Sequence, residues 1–237
     1  MIVHSKLEQG SSEWFEMRKG KITGSILKNM VHSEKMTLKI AKGKEKNPVC
    51  YNSLASIAKK EIMKIIAQRY IVYDENDTVE FPRIRGDVAE RGHAGEAIAK
   101  ILYSQHNLEF VNEVGFLESE CKNYGYSPDG LIGTDGFIEV KTINSGKHLS
   151  AKLSGIESFL IEEDYMPQIM LGFLMNENFK WCDYILYTDS FIDEKDRFSC
   201  FRIFRNEEVL DVLRNSINYI IEIINENELL LGFKNKF

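Results

Sequence analysis

The 237-residue chain carries only four cysteines and four prolines. Cys50, Cys121, Cys182 and Cys200 are scattered, with no Cys-x-x-Cys and no Cys/His pair at zinc-ligand spacing. That spacing argues against a structural zinc and a disulfide framework and leaves free, mostly buried thiols as the expectation. No apolar run approaches the roughly 20 residues of a membrane span, and the opening MIVHSKLEQG lacks the apolar stretch of a secretory signal, so the expected compartment is the cytoplasm. Internal repeats and low-complexity linkers are missing too, which points to one domain over residues 1–237. An excess of basic charge is also lacking: a net charge of -6 argues against a protein that simply coats nucleic acid.

What is present is an apolar content of 43%, ample for a core, and an uneven distribution of charge. Residues 1–105 hold 18 basic against 13 acidic side chains, whereas the remainder holds 12 against 23. Residues 17–46 alone carry nine basic and two acidic groups, so a local basic surface can face a polyanion while the acidic remainder keeps the protein soluble. For the lysine-rich segment 35–46 taken alone, a solvated loop fits as well as a DNA-gripping surface.

Hydrophobic periodicity predicts two short helices within residues 11–31, capped by the serines of SSEW, and helices over 53–70 and 86–105. The second of these is expected to turn Val88, Ala94, Ile98, Ile101 and Leu102 inward. Strands follow at 108–118, 124–133, 136–143, 181–188 and 198–204, with two helices near 156–177 and a last amphipathic helix from Glu207 to about Leu230. The order implies an α/β (α+β) core with a mixed central β-sheet flanked by helices.

One hairpin, SPDGLIGTDGFIEVKT at 127–142, places three charges between apolar flanks. If the turn is Thr134-Asp135-Gly136, Gly133 pairs with Phe137, Leu131 with Glu139 and Asp129 with Lys141. Asp129, Glu139 and Lys141 then share one face, while Ile132, Ile138 and Val140 point to the other; a loop one residue shorter or longer would separate Asp129 from Glu139. Two converging carboxylates near a core repel each other unless a cation sits between them, and oxygen-only ligation suits Mg²⁺. A neighbouring lysine adds what phosphodiester hydrolysis needs: a group that orients or deprotonates the nucleophile or screens the transition state. A charged, solvent-facing hairpin has the same composition. Pro128, the apolar flanks and an upstream acid, Glu96, set among Gly92, Ala94 and Gly95, favour the catalytic reading.

These residues resemble the PD-(D/E)XK nuclease superfamily, in particular phage lambda exonuclease and related phage recombination nucleases. QGSSEWFEMRKGKITGS (9–25) resembles the N-terminal block of that family, RGHAGEAIAKILY (91–103) its Gly-x-x-x-Glu helix, YSPDGLIGTDGFIEVKT its core motif and YMPQIMLGFLM (165–175) its Tyr-Met-x-Gln helix. The blocks lie within residues 9–175; residues 26–90 look long for the family, and the strands and helix of 178–237 match only loosely.

The resemblance implies a restriction-endonuclease-like core and a metal-dependent exonuclease. Such an enzyme loads on a double-stranded DNA end, digests one strand 5′-to-3′ and leaves a 3′ overhang for a single-strand annealing protein. It implies a ring-shaped homotrimer as well. By motif position, Asp129, Glu139, Glu96 and the backbone carbonyl of Val140 would hold Mg²⁺ or Mn²⁺, with Lys141 at the attacking water. Arg18, Ser25, Ser127 and Gln168 match positions that bind the 5′-terminal phosphate, a role that suits a guanidinium, two hydroxyls and an amide. Taken singly, Ser25 and Ser127 also read as cap or turn residues, Gln168 as an exposed helix position and Arg18 as a surface ion pair. Competing functions are a restriction-type endonuclease on the same core and a DNA-binding recombination accessory protein without catalysis. An iron-sulfur nuclease would need a late cluster of cysteines that Cys182 and Cys200 do not supply.

Overall fold

The computed structural model describes residues 1–44, 49–77, 81 and 86–233, and only the backbone of residues 87–89. The first strand, β1 (Ile2–His4), leads to α1 (Ser12–Arg18), whose N-cap Ser11 accepts from the Trp14 N–H. A two-residue strand, β2 (Ile22–Thr23), and a single helical turn, α2 (Gly24–Leu27), follow, then α3 (Ser56–Tyr70) and α4 (Gly86–Asn107). Five short strands come next: β3 (Val111–Asn112), β4 (Phe116–Glu118), β5 (Tyr124–Tyr126), β6 (Gly130–Ile132) and β7 (Gly136–Thr142). Helices α5 (Ser145–Ser154), α6 (Ile156–Glu162) and α7 (Met166–Met175) cross over to β8 (Trp181–Tyr187), and β9 (Phe198–Phe204) and α8 (Glu207–Leu230) complete the order.

Among the described residues the strands form two sheets. The larger has the order β3-β6-β7-β8-β9 and is mixed, because only β7 and β8 run parallel. A parallel pair needs a long crossover, and α5 to α7 supply it. The smaller sheet has the order β1-β4-β5-β2. On one face of the larger sheet Ile132, Ile138, Val140, Ile185 and Tyr187 bury against Ala99 and Tyr103 of α4. On the other, Phe137, Cys182, Tyr184 and Leu186 join the main core with residues of α7 and α8. Alternation along β7 thus sends Ile138 and Val140 one way and Phe137, Glu139 and Lys141 the other.

Several sequence expectations change. Residues 108–118 form two strands in different sheets, β3 and β4, and residues 124–133 likewise divide into β5 and β6. The break in the second falls at Ser127-Pro128-Asp129, where the chain passes from one sheet to the other. Helix α5 was not expected, since SGKHLSAKLS has little apolar content to set a period. Helix α4 turns Gly95, Ala99 and Tyr103 inward, while Ala94, Ile98 and Ile101 are exposed. A Cβ on Gly95 would lie 2.3 Å from Thr142 Oγ1, so the close approach of β7 requires glycine there. The expectation for the Val88 side chain lies outside the described residues.

Only Cys182 is buried among the cysteines; Cys50, Cys121 and Cys200 are exposed. In the lysine-rich segment, Met36 and Leu38 are core residues that leave Lys35, Lys42 and Lys44 in solvent, and Lys46 lies outside the described residues. Lys39 donates to the Lys28 carbonyl at 2.6 Å. His148 is fully buried, with Nε2 2.7 Å from Ser199 Oγ. No helix among the described residues is long and apolar enough to cross a membrane.

A buried arginine ties α3 to α8 and to the segments that lead into β2 and β5 of the smaller sheet. Arg69 of α3 donates to the Gly20 carbonyl at 3.0 Å, to Asn123 Oδ1 at 2.7 Å and to Glu228 Oε1 of α8 at 3.1 Å. Removing one member of a buried pair strands the other, at a cost of about 3–5 kcal/mol. Arg69→Met is therefore expected to lower urea stability by that amount, and adding Glu228→Leu to recover part of it. A single-variant loss below about 1 kcal/mol, the range of exposed pairs, would contradict this.

Candidate active site

The β6–β7 hairpin pairs Gly130 with Ile138, Leu131 with Phe137 and Ile132 with Gly136. Its loop is Gly133-Thr134-Asp135, and the left-handed residue is Gly133, with φ of 54°. The expected loop, Thr134-Asp135-Gly136, instead included Gly136. That glycine serves another purpose: a Cβ there would come within 2.2 Å of the Trp181 ring. The register is therefore two residues from the expected one. An even shift preserves faces, so Asp129, Glu139 and Lys141 still share one side. Extended by one pair, the register sets Asp129 opposite Glu139.

Because β6 begins only at Gly130, the edge of β7 beyond Ile138 is open to side chains. Asp129 Oδ2 takes the place of a strand there and accepts the Val140 N–H at 2.6 Å. The N–H and C=O of one strand residue point to the same side, so the Val140 carbonyl faces this edge too. Glu139 is 2% exposed. Its Oε1 accepts from Lys141 Nζ at 2.6 Å and from Gln168 Nε2 at 2.5 Å, and its Oε2 from the Tyr126 hydroxyl. The Lys141 ammonium also stands 5.7 Å from the centre of the Tyr165 ring.

The electrostatics follow from burial. The Asp129 carboxyl is pushed well above the usual carboxylate range by burial first, then by Glu139 and Glu96; Lys141 and the Val140 N–H only partly oppose this. Burial works against the charge on Lys141, yet Glu139 and Asp129 outweigh it and raise its pKa.

A second group adjoins the first. The Arg18 guanidinium lies 4.0 Å over the Trp14 ring and donates to Ser127 Oγ at 3.0 Å and Ser25 Oγ at 3.4 Å. Burial pushes Arg18 down to about 10, an effect partly offset by Glu139. Trp14 Nε1 donates to Ser127 Oγ as well, at 3.0 Å. Gln168 belongs to both groups by position: it bonds to Glu139, and it packs on Gly24, where a Cβ would lie 2.7 Å from its Cγ. Glycine before Ser25 is what lets α7 approach α2 this closely.

Glu96 reaches the site from α4. Its Oε1 is 2.7 Å from Lys100 Nζ, and Lys100 is also 3.4 Å from Glu113. Glu96 and Asp129 line one cleft of about 380 Å³ with Lys6, Gln9, His93 and Lys100. Arg18 and Ser25 line another of about 650 Å³ with Trp14, Phe15, Lys64 and Gln68. Gln9 and His93 border both. Gln9 also braces the segment ahead of Asp129, donating to the Val114 and Pro128 carbonyls at 2.9 Å each.

Tyr126, Tyr165 and Lys100 were not singled out from sequence. Lys100 carried a usable signal, since it stands four residues after Glu96 on one helix face. Tyr126 and Tyr165 open two of the matched blocks, but their contacts depend on tertiary packing, and no local signal marks either for a role.

Among the described residues no three His, Cys, Asp or Glu side chains converge as a ready cation cage, because Glu96 turns to Lys100. The donor chemistry nevertheless fits a small divalent cation. All the donors are oxygens, the buried Glu139 stands opposite the half-buried Asp129 that lines the cleft, and Asp129 is held toward its neutral form by desolvation and by its acidic neighbours.

No curated protein sequence matches the chain. Among solved structures, the alkaline exonuclease of Laribacter hongkongensis superposes with a TM-score of 0.71 at 22% identity, over 94% of this chain and 96% of that one. The same enzyme in complex with dAMP gives 0.70 at 22% identity, over 93% and 96%. A phage-related exonuclease from Haemophilus somnus 129PT gives 0.66 at 12% identity, over 92% and 99%. These likenesses are of fold, the mixed α/β architecture that the PD-(D/E)XK resemblance implies. Residues 13–175, well over half of the chain, match the YqaJ-like viral recombinase domain, and the protein belongs to that family.

Proposed function

We propose that the protein is a divalent-cation-dependent exonuclease that digests one strand of linear double-stranded DNA 5′-to-3′ from a 5′-phosphorylated end, leaving 3′ overhangs for recombination by strand annealing. The observation that carries this reading is the meeting at Glu139 of two groups: the Asp129–Glu139–Lys141 face and, through Gln168 and Arg18, the cluster of Arg18, Ser25 and Ser127. One group has the composition for phosphodiester hydrolysis and the other for gripping a terminal phosphate.

Asp129, Glu139, Glu96 and the Val140 carbonyl would hold Mg²⁺, or Mn²⁺, which supplies an acidified water and draws charge from the phosphoryl oxygens. Lys141 stays an ammonium under the influence of Glu139 and Asp129, so it orients the attacking water and stabilises phosphoryl charge rather than removing a proton. Arg18 exchanges two hydroxyl acceptors for phosphate oxygens, a stronger charge-assisted pairing. Water attacks phosphorus, the bond to the 3′ oxygen breaks, that oxygen takes a proton, and the new strand end carries a 5′-phosphate. Each cut thus regenerates the group that Arg18, Ser25 and Ser127 bind.

On the family resemblance, the same reading includes a single nuclease domain over 1–237, a homotrimeric ring around the duplex, a single-strand annealing protein as partner and a cytoplasmic setting.

Lys141→Ala is expected to slow nucleotide release from linear duplex about 100-fold or more in Mg²⁺, the scale of losing a positioned electrostatic group, with the fold intact by circular dichroism. Undiminished release would remove Lys141 from the reaction. Arg18→Ala should abolish the preference for a 5′-phosphate over a 5′-hydroxyl end, measured as the ratio of initial rates. An unchanged ratio would place the phosphate site elsewhere.

Asp129 adds a pH dependence. A carboxyl with a raised pKa must lose its proton to ligate a cation, so uptake releases a proton, and affinity climbs with pH from the usual carboxylate range up to the raised pKa. The same shift makes the cation-free fold lose stability across that interval as pH rises. Calorimetric Mg²⁺ titrations in two buffers of different ionisation enthalpy should give different heats; identical heats would mean that Asp129 is already ionised.

A further inference from the structure

The hydrogen bonds to Glu139 distinguish its two oxygens. An ionised carboxylate offers about four acceptor directions, two on each oxygen. Oε1 accepts from both Lys141 and Gln168, which fills it. Oε2 accepts from Tyr126 alone. The direction left for a cation is therefore on Oε2.

Tyr126 has little freedom to point elsewhere. It is 1% exposed, its ring meets Phe137 edge-on at 5.7 Å between centroids, and α7 presses on it at Gly172, where a Cβ would lie 2.8 Å from Tyr126 Cε1. It is also the last residue of β5, three before Asp129. We infer that Tyr126 is a positioning residue that aims Oε2 of Glu139 at the divalent cation. This rests on the cation-dependent reading above and adds to it the oxygen that ligates and the group that orients it. Segment 126–129 would then deliver one ligand, Asp129, together with the side chain that sets the other.

Groups that orient a metal ligand through a hydrogen bond typically change metal affinity about 10- to 100-fold when removed. The test uses the full chain without DNA and follows free Mn²⁺ by its electron paramagnetic resonance signal. Tyr126→Phe, which removes one oxygen and keeps the ring, is expected to bind Mn²⁺ about tenfold or more weakly than wild type, with cooperative thermal unfolding retained. Gln168→Leu, which takes a donor from Oε1 and leaves Oε2 alone, is expected to bind no more weakly than wild type. Wild-type affinity in Tyr126→Phe would overturn the inference and leave the functional reading standing. Equal weakening in both variants would overturn the assignment to Oε2. Should Tyr126→Phe fail to fold, weaker binding by Gln168→Leu alone contradicts an open Oε2. A wild-type protein that binds no Mn²⁺ would remove the functional reading itself, and this inference with it.

Discussion

Two carboxylates set side by side in a desolvated corner constrain the rest of the site. Asp129 and Glu139 cannot both be ionised there without opposing charge, and the protein meets the demand unevenly. Glu139 collects three donors, Lys141, Gln168 and the Tyr126 hydroxyl. Asp129 has the Val140 N–H and is otherwise held toward its neutral form. The elements that meet here, the end of β5, the start of β6, the middle of β7 and the first turn of α7, are each anchored in the core by neighbouring residues. A carboxyl kept from ionising beside a second carboxylate is a place where a cation would restore the charge, and the packing around it limits which oxygens can answer.

The linkage between the two sheets explains how so much chemistry comes from so few residues. Tyr126 ends a strand of the smaller sheet, and Gly130 begins one of the larger. The three residues between them cross the junction outside both strands, with Asp129 keeping one backbone bond to the Ile138 carbonyl of β7, and their side chains serve the site: Ser127 to Arg18 and Trp14, Asp129 to Val140. Gln9 holds the Pro128 carbonyl and so fixes the crossing from beneath. The N-terminal segment, whose strand and helix are short, thereby takes part in positioning a site more than a hundred residues away in sequence.

Much of this was legible in the sequence because the relevant signals are local. Period-two alternation along 136–142 and the face shared by Asp129, Glu139 and Lys141 survive a register error of two residues, since only an odd shift exchanges faces. The mixed sheet with flanking helices follows from the order of periodic segments. What could not be read depends on packing at a distance. The division of 108–118 and 124–133 between two sheets has no local marker, Gly136 owes its identity to the Trp181 ring, and Gly95 of α4 owes its own to the closeness of Thr142 on β7. His148 is buried by partners on β9 that its own helix does not reveal. Within the site, the carboxylates and the lysine carry chemical signatures, whereas Tyr126 and Tyr165 look like any core aromatic until their hydroxyl and ring are seen beside Glu139 and Lys141.

In the proposed reaction the site hydrolyses DNA from an end, with the terminal phosphate setting where the chain is gripped. The most direct measurement incubates the protein with Mg²⁺ and a linear duplex carrying a 5′-phosphate on one strand and a 5′-hydroxyl on the other, each separately labelled, beside a covalently closed circle. Progressive loss of the 5′-phosphorylated strand as mononucleotides is expected, with a persisting complementary strand and an intact circle. Cutting of the circle, or equal loss of both strands, would contradict it.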